Sequence, residues 1–181
     1  GDPALLGQRV AGSNDVCCLT CRACRSGLWR NCPDFGEIGF AHDGAYAEYM
    51  LAPLYALRPI PDHISDIQAA MLEPLGVAMG TLDKVRARLG DTLLILGAGS
   101  IGLNMLAAAK AAGLRRITVL ERSGGRLPIA REMGADFTVA TSEVDAETEI
   151  RKIYPEGPDI IIDCTGSEDC LGLALRAAPK S

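Results

Sequence analysis

The chain has 181 residues, 48% of them hydrophobic, and a formal charge of −5. That length holds one domain or two small ones, and the sequence has neither a run of about 18 apolar residues to span a membrane nor the basic-then-apolar start of a signal peptide. The acidic balance weighs against nucleic acid as the main partner: Arg22, Arg25 and Arg30 are too few for a phosphate track, and three Phe, four Tyr and one Trp are too few for stacking platforms.

Five of the seven cysteines fall between Cys17 and Cys32. Cys18, Cys21, Cys24 and Cys32 stand at C-x2-C-x2-C-x7-C, a spacing that lets four thiolates close around one tetrahedral zinc. With every position taken by sulfur, such a metal is structural and not catalytic. An odd cysteine total is awkward for disulfides, and the spacing suits metal, which points to a reducing, cytoplasmic compartment. Cys17 competes with Cys18; the even spacing selects Cys18 and leaves Cys17 as a buried small side chain. Cys164 and Cys170 have no histidine nearby and read as core or helix residues. His42 and His63 are isolated and read as surface loop positions.

Residues 1–62 are rich in Gly, Pro and short alternating runs. Ala45 to Leu51 reads as a strand after a turn at Gly44, and Pro53, Pro59 and Pro61 keep the next segment extended. Ser65-Asp66-Ile67-Gln68 is a capping-box pattern that starts a helix. That helix is expected to stop at Glu73, before Pro74, with a second one over about Leu75 to Arg88. The domain boundary is placed near residue 75, giving domains 1–75 and 76–181.

From Asp91 the texture changes. Thr92 to Leu96, Arg116 to Leu120, Phe137 to Val139 and Asp159 to Asp163 read as strands buried on both faces. They alternate with helices running to Ala112, to about Met133 and, weakly amphipathic, over 145–153. The alternation predicts a parallel α/β sheet. Pro128 falls inside the second of these helices, so that helix starts late, near Arg126, or bends.

Gly97-Ala98-Gly99-Ser100-Ile101-Gly102 follows the first of these strands and opens a helix. Gly97 permits the tight turn, Gly99 lets the backbone approach a pyrophosphate, and Gly102 lets helix and sheet pack closely. Free N–H groups around Ser100 and Ile101 then face the phosphates. Glu121 ends the next strand, 19 residues past Gly102. A carboxylate there accepts from a ribose hydroxyl and repels a 2′-phosphate, favouring NAD over NADP; Arg122 softens that preference, and Arg126 joins the candidate cofactor contacts. The plainer alternative is that the glycines only make a tight strand-to-helix turn.

Together these motifs resemble the zinc-containing medium-chain alcohol and polyol dehydrogenases. The cysteine loop ending Cys32-Pro33-Asp34 is similar to the family's structural zinc lobe. Asp43-Gly44-Ala45-Tyr46-Ala47-Glu48-Tyr49 is similar to its D-G-x-[FY]-A-E-Y segment. Glu73-Pro74-Leu75 resembles the E-P-L of the sorbitol, threonine and sugar dehydrogenase branch. The resemblance implies a partial Rossmann-like parallel sheet preceded by the C-terminal part of a β-rich GroES-like catalytic domain. It implies hydride transfer between a secondary alcohol (a polyol, a sugar or a relative) and NAD, with a catalytic zinc acting on the alcohol oxygen as a Lewis acid. Glu73, on its own an ordinary helix-end carboxylate, becomes by resemblance a catalytic residue and a ligand of that zinc, directly or through water.

The family's early cysteine and its His-Glu pair have no counterpart here, and a full nucleotide domain has six strands where four are read. The chain is therefore expected to be a fragment or a decayed relative. It is expected to be inactive alone, with the fourth strand as an exposed apolar edge and part of the nicotinamide pocket missing. The full-length parent is expected to be a homo-oligomer acting on a small-molecule alcohol. The rival readings are a non-catalytic dinucleotide-binding module with a structural zinc lobe, and a zinc-ribbon interaction or nucleic-acid module appended to an α/β domain.

Overall fold

The computed structural model describes residues 2–179. The chain divides between Glu73 and Pro74 into two compact units. In chain order the first holds β1 (Val10–Gly12), β2 (Asp15–Val16), α1 (Arg22–Arg25), β3 (Gly36–Glu37), β4 (Leu57–Pro59) and α2 (Asp66–Ala70). β1 pairs antiparallel with β4, and β2 with β3. Gly12 is required where the first ladder closes, since a Cβ there would lie 2.3 Å from the Ala56 carbonyl oxygen. The Arg9 guanidinium donates to Asp66 Oδ1 at 2.6 and 3.0 Å, joining the entry of β1 to the start of α2.

The capping box read from the sequence is formed: Gln68 N–H donates to Ser65 Oγ at 3.2 Å, and Ser65 N–H donates to Gln68 Oε1 at 2.9 Å. The helix end is different. α2 stops at Ala70 with Met71 as its cap, and α3 (Leu72–Lys84) starts two residues before Pro74. Pro74 therefore sits in a first helical turn, where its missing N–H has no partner to lose. α3 also ends short of Arg88. Arg86 turns left-handed (φ +54°), Arg86 N–H donates to the Asp83 carbonyl and Ala87 N–H reaches back to that of Leu82, a Schellman-type stop.

The strand expected over Ala45 to Leu51 is absent: residues 45–48 form bends. A strand exists only when its N–H and C=O groups meet a neighbouring ladder, and this segment has no partner among the described residues. Tyr46, Tyr49 and Leu51 stand exposed.

In the second unit α3 leads to β5 (Thr92–Leu96), α4 (Ser100–Ala111), β6 (Arg115–Glu121), α5 (Leu127–Glu132), β7 (Phe137–Ala140), α6 (Ala146–Ile153), β8 (Ile160–Asp163) and α7 (Glu168–Ala177). The four strands are parallel in the order β7-β6-β5-β8. Alternate side chains of β5 enter opposite layers. Leu93 and Ile95 pack with Met105, Leu106 and Ala109 of α4 and Leu127 and Ala130 of α5. Leu94 and Leu96 pack with Ile150 of α6, Tyr154, and Leu173 and Ala177 of α7. Fully burying such a Leu or Ile is worth about 1.5–3 kcal/mol.

α4 and α5 step the chain outward to β6 and β7, and α6 returns it across the other face to β8. The strand order thus reverses between β5 and β8, the kind of switch point where open α/β sheets bind ligands. β8 is the edge expected from the sequence, but its faces are covered, with Ile160 and Ile162 buried; the free edge is its backbone. α5 starts late, so Pro128 occupies its second position without breaking it. α7 was not read from the sequence.

At the opposite end of the sheet, Asp159 Oδ2 accepts from the amide and hydroxyl of Thr92 at 2.8 and 2.7 Å. The Thr92 amide, then its hydroxyl, holds the Asp159 carboxyl below the usual range. A depressed carboxyl stabilises the fold above its unfolded value near 3.9, and this is lost as pH falls through the folded value. Asp159→Ala is expected to cost about 1 kcal/mol at pH 7. In urea denaturation the gap from the parent chain should shrink below roughly pH 4.

Candidate functional site

The cysteine group is built by a short loop and one helical turn. Cys21 caps α1, Cys24 lies within it, Cys18 precedes it, and Cys32 follows the 3-10 turn Trp29–Asn31. All four Sγ atoms lie within 4.8 Å of one another. Cys18 Sγ is 3.6 Å from Cys32 Sγ and 4.0 Å from Cys24 Sγ. Sulfurs at the corners of a zinc tetrahedron with bonds of about 2.3 Å stand about 3.8 Å apart, so the donor set fits that ion. Backbone N–H groups of Cys21 and Cys24 donate to Cys18 and Cys21 sulfurs at 3.4 Å each, a pattern that favours thiolates.

Thr20, through its hydroxyl and amide, draws Cys18 down to about 6, whereas burial drives Cys24 up. Four crowded sulfurs cannot all ionise against one another, and a divalent cation removes that conflict. Cys17 is buried and outside the group. Its N–H donates to Tyr55 Oη at 2.8 Å, and that hydroxyl lies 3.3 Å from the Cys17 carbonyl oxygen. Tyr55 pins the loop and carries no sequence signal beyond being aromatic.

In the second unit the strand ends open on a cleft of ≈ 530 Å³, lined by Gly97, Glu121, Arg122, Thr141, Thr165 and Ser167 together with side chains of α6 and α7. Gly97 is left-handed (φ +100°), and a Cβ on it would lie 2.8 Å from Thr165 Cγ2. A Cβ on Gly102 would come within 1.9 Å of the Gly97 carbonyl oxygen, so only glycine permits this helix approach. Gly99 caps α4 with no side-chain hydrogen bond, leaving the first-turn N–H groups around Ser100 and Ile101 open to an anion. Glu121 Oε2 accepts from Ala98 N–H at 3.1 Å. Arg122 lines the cleft, and Arg126 Nη1 would lie 3.8 Å from a Cβ on Gly99.

The structure thus gathers the glycine turn, Glu121, Arg122 and Arg126 around one helix start. Glu73 stands apart from the cysteine group, exposed in the first turn of α3. His42 and His63 are exposed. The sequence reading missed the loop after β8. There Asp163 Oδ1 accepts from Thr165 N–H and Oγ1 at 2.8 and 2.6 Å, holding Thr165 against Gly97. The switch-point rule applied to the fourth strand would have found it.

Residues 3–62 match the alcohol dehydrogenase GroES-like domain, and residues 100–180 match the family described as zinc-binding dehydrogenase. The chain is 34% identical over 163 residues to an L-threonine 3-dehydrogenase of Chromobacterium violaceum, covering 90% of this chain and 48% of that protein. It belongs to the zinc-binding alcohol dehydrogenase family. Two solved structures are similar to this chain over nearly its whole length. The short chain alcohol dehydrogenase rspB from Escherichia coli CFT073, complexed with NADH, superposes with a TM-score of 0.89 at 30% identity, over 98% of this chain and 53% of that one. A zinc-binding dehydrogenase from Sinorhizobium meliloti 1021, bound to NADP, gives 0.87 at 30% identity over 96% and 52%. This dehydrogenase-family chain spans about half the length of the curated relatives it matches.

Two predictions follow the geometry. Cys18→Ser is expected to drop zinc content from one ion per chain to almost none, while Cys17→Ser retains it; metal analysis after gel filtration checks this. Gly102→Ala is expected to lower unfolding stability by about 3 kcal/mol through backbone overlap. Gly99→Ala, facing nearly open space, should leave thermal stability almost unchanged while weakening ADP binding in calorimetry.

Proposed function

We propose that this chain carries the nucleotide site and structural zinc lobe of a zinc- and NAD-dependent dehydrogenase of secondary alcohols. One observation carries the reading: an uncapped helix start, a glycine turn and the Glu121 carboxylate meet at the strand-order reversal. The α4 N–H groups would bind the pyrophosphate, Gly99 would admit it, and Glu121 would accept from a ribose hydroxyl and repel a 2′-phosphate. Arg122 and Arg126 would add attraction for the phosphates. When bound, NAD supplies the hydride acceptor. Cys18, Cys21, Cys24 and Cys32 would hold the structural zinc, which crosslinks the lobe.

The curated relatives named L-threonine 3-dehydrogenase make a 2-amino-3-hydroxy acid the first substrate to try, ahead of polyols and sugars. Glu73 is the residue we assign to a catalytic zinc in the whole protein, on its Glu-Pro-Leu context. The reduced cysteines suit the cytoplasm, and we expect the whole protein to be a homo-oligomer. Among the described residues the only grouped metal ligands are the four cysteines, and a zinc held by four sulfurs has no open position. This favours, for the 181-residue chain on its own, a dinucleotide-binding module without turnover.

Calorimetry on the chain is expected to show NADH binding, with NADPH weaker by about tenfold, roughly 1.4 kcal/mol. No reduction of NAD is expected with L-threonine or secondary alcohols. Absence of NADH binding would remove the nucleotide reading, tighter NADPH binding would reverse the cofactor preference, and measurable turnover would contradict an inactive chain.

A further inference from the structure

Glu121 is placed to do more than meet a ribose. Its carboxylate reaches back from the end of β6 to the turn between β5 and α4, where Oε2 accepts from Ala98 N–H at 3.1 Å. One residue earlier, Gly97 N–H donates to the Leu120 carbonyl at 2.8 Å. The glycine turn is thus fastened to β6 at two successive residues, once by backbone and once by this side chain. From the other side Gly102 closes on the Gly97 carbonyl oxygen, leaving no room for a Cβ. Ala98 is fully buried. Without the carboxylate its N–H would have no acceptor, and a buried unpaired amide pulls the backbone toward another conformation.

We propose that Glu121 is a positioning residue for the phosphate-binding turn: it orients the Gly97–Gly99 backbone before any nucleotide arrives, separately from any contact with ribose. The length of the side chain is part of the device. Aspartate keeps the charge but is one methylene shorter and does not span from the β6 backbone to Ala98. Glutamine keeps both reach and an acceptor oxygen while losing the charge. The consequence for ligand binding rests on the nucleotide reading above; the state of the Ala98 amide does not.

The test combines amide hydrogen exchange on the ligand-free chain with binding of ADP and of 2′,3′-dideoxy-ADP, which lacks the ribose hydroxyls. Glu121→Ala and Glu121→Asp are expected to speed Ala98 exchange by about tenfold and to weaken dideoxy-ADP by about fivefold, as loss of the only hydrogen bond to a buried amide predicts. Glu121→Gln should restore both to within about twofold of the parent, a rescue that reach and hydrogen-bonding capacity predict. If Glu121→Ala weakens ADP alone, with Ala98 exchange and dideoxy-ADP unchanged, Glu121 acts only on the ribose and the proposal fails. If the parent chain binds neither ADP nor NADH, the nucleotide reading fails and Ala98 exchange still decides the clamp. Should Glu121→Ala not fold, Glu121→Asp decides: lost Ala98 protection supports the clamp, and retained protection overturns it.

Discussion

The carbonyl oxygen of Gly97 occupies the place where any side chain at residue 102 would begin. That contact fixes how close α4 comes to the end of β5, and the second unit is arranged around it. β5 is the central strand, buried on both faces from Leu93 to Leu96. Its side chains divide alternately between the α4–α5 layer and the α6–α7 layer. A helix standing off by the width of a methyl group would separate Met105 and Leu106 from Leu93 and Ile95, and close packing makes such gaps costly. The same approach places the uncapped start of α4 beside the glycine turn. Packing and the placing of the uncapped helix start are therefore two results of one backbone contact.

The cysteine lobe is organised on the opposite principle. Its buried residues are Cys17, Cys24 and Cys32, with Phe35 and Tyr55 packed beside them. So small an apolar cluster cannot offset the conformational entropy of ordering the loop. α1 is a single turn of four residues, too short to be stable by itself. Leu19 is held left-handed at φ +60°, an unfavourable state for a side chain of that size. The lobe needs an interaction stronger than burial, and four sulfurs converging within 4.8 Å form a donor set that metal coordination would fit. The sequence sets the candidate ligands, and a bound ion would complete the core.

What could be read in advance follows from how local each signal is. The strands β5 to β8 were legible because burial on both faces writes a short apolar run, and the cysteine and glycine spacings carry their own geometry. The segment Ala45 to Leu51 has the composition of a strand, but strand formation depends on a partner that composition does not name. The α2–α3 break was misplaced because Pro74 was read as a terminator when it serves equally well in a first turn. α7 escaped notice because Gly172 and Cys170 dilute its helical pattern; its burial of Leu173 and Ala177 comes from the sheet beneath it. The Tyr55 anchor on Cys17 spans 38 residues and has no motif. Glu121 was legible as an acid in register with the glycines, but its bond to Ala98 was not, since that depends on the distance between two strand ends.

The chain is acidic overall, yet the ligand proposed for its helix start is a polyanion, and the two are compatible because net charge is the wrong scale for this site. On that reading the attraction would come from N–H groups at one helix start, effective over a few ångströms, with Arg122 and Arg126 beside it. A carboxylate in the same place looks self-defeating until its direction is considered. Glu121 turns one oxygen onto the Ala98 amide. Its negative charge is thus bound into the turn that presents those groups, while under the proposed reading it would also oppose a second phosphate at the ribose. On that reading, selectivity against the extra phosphate and order in the pyrophosphate-binding turn would both come from one residue.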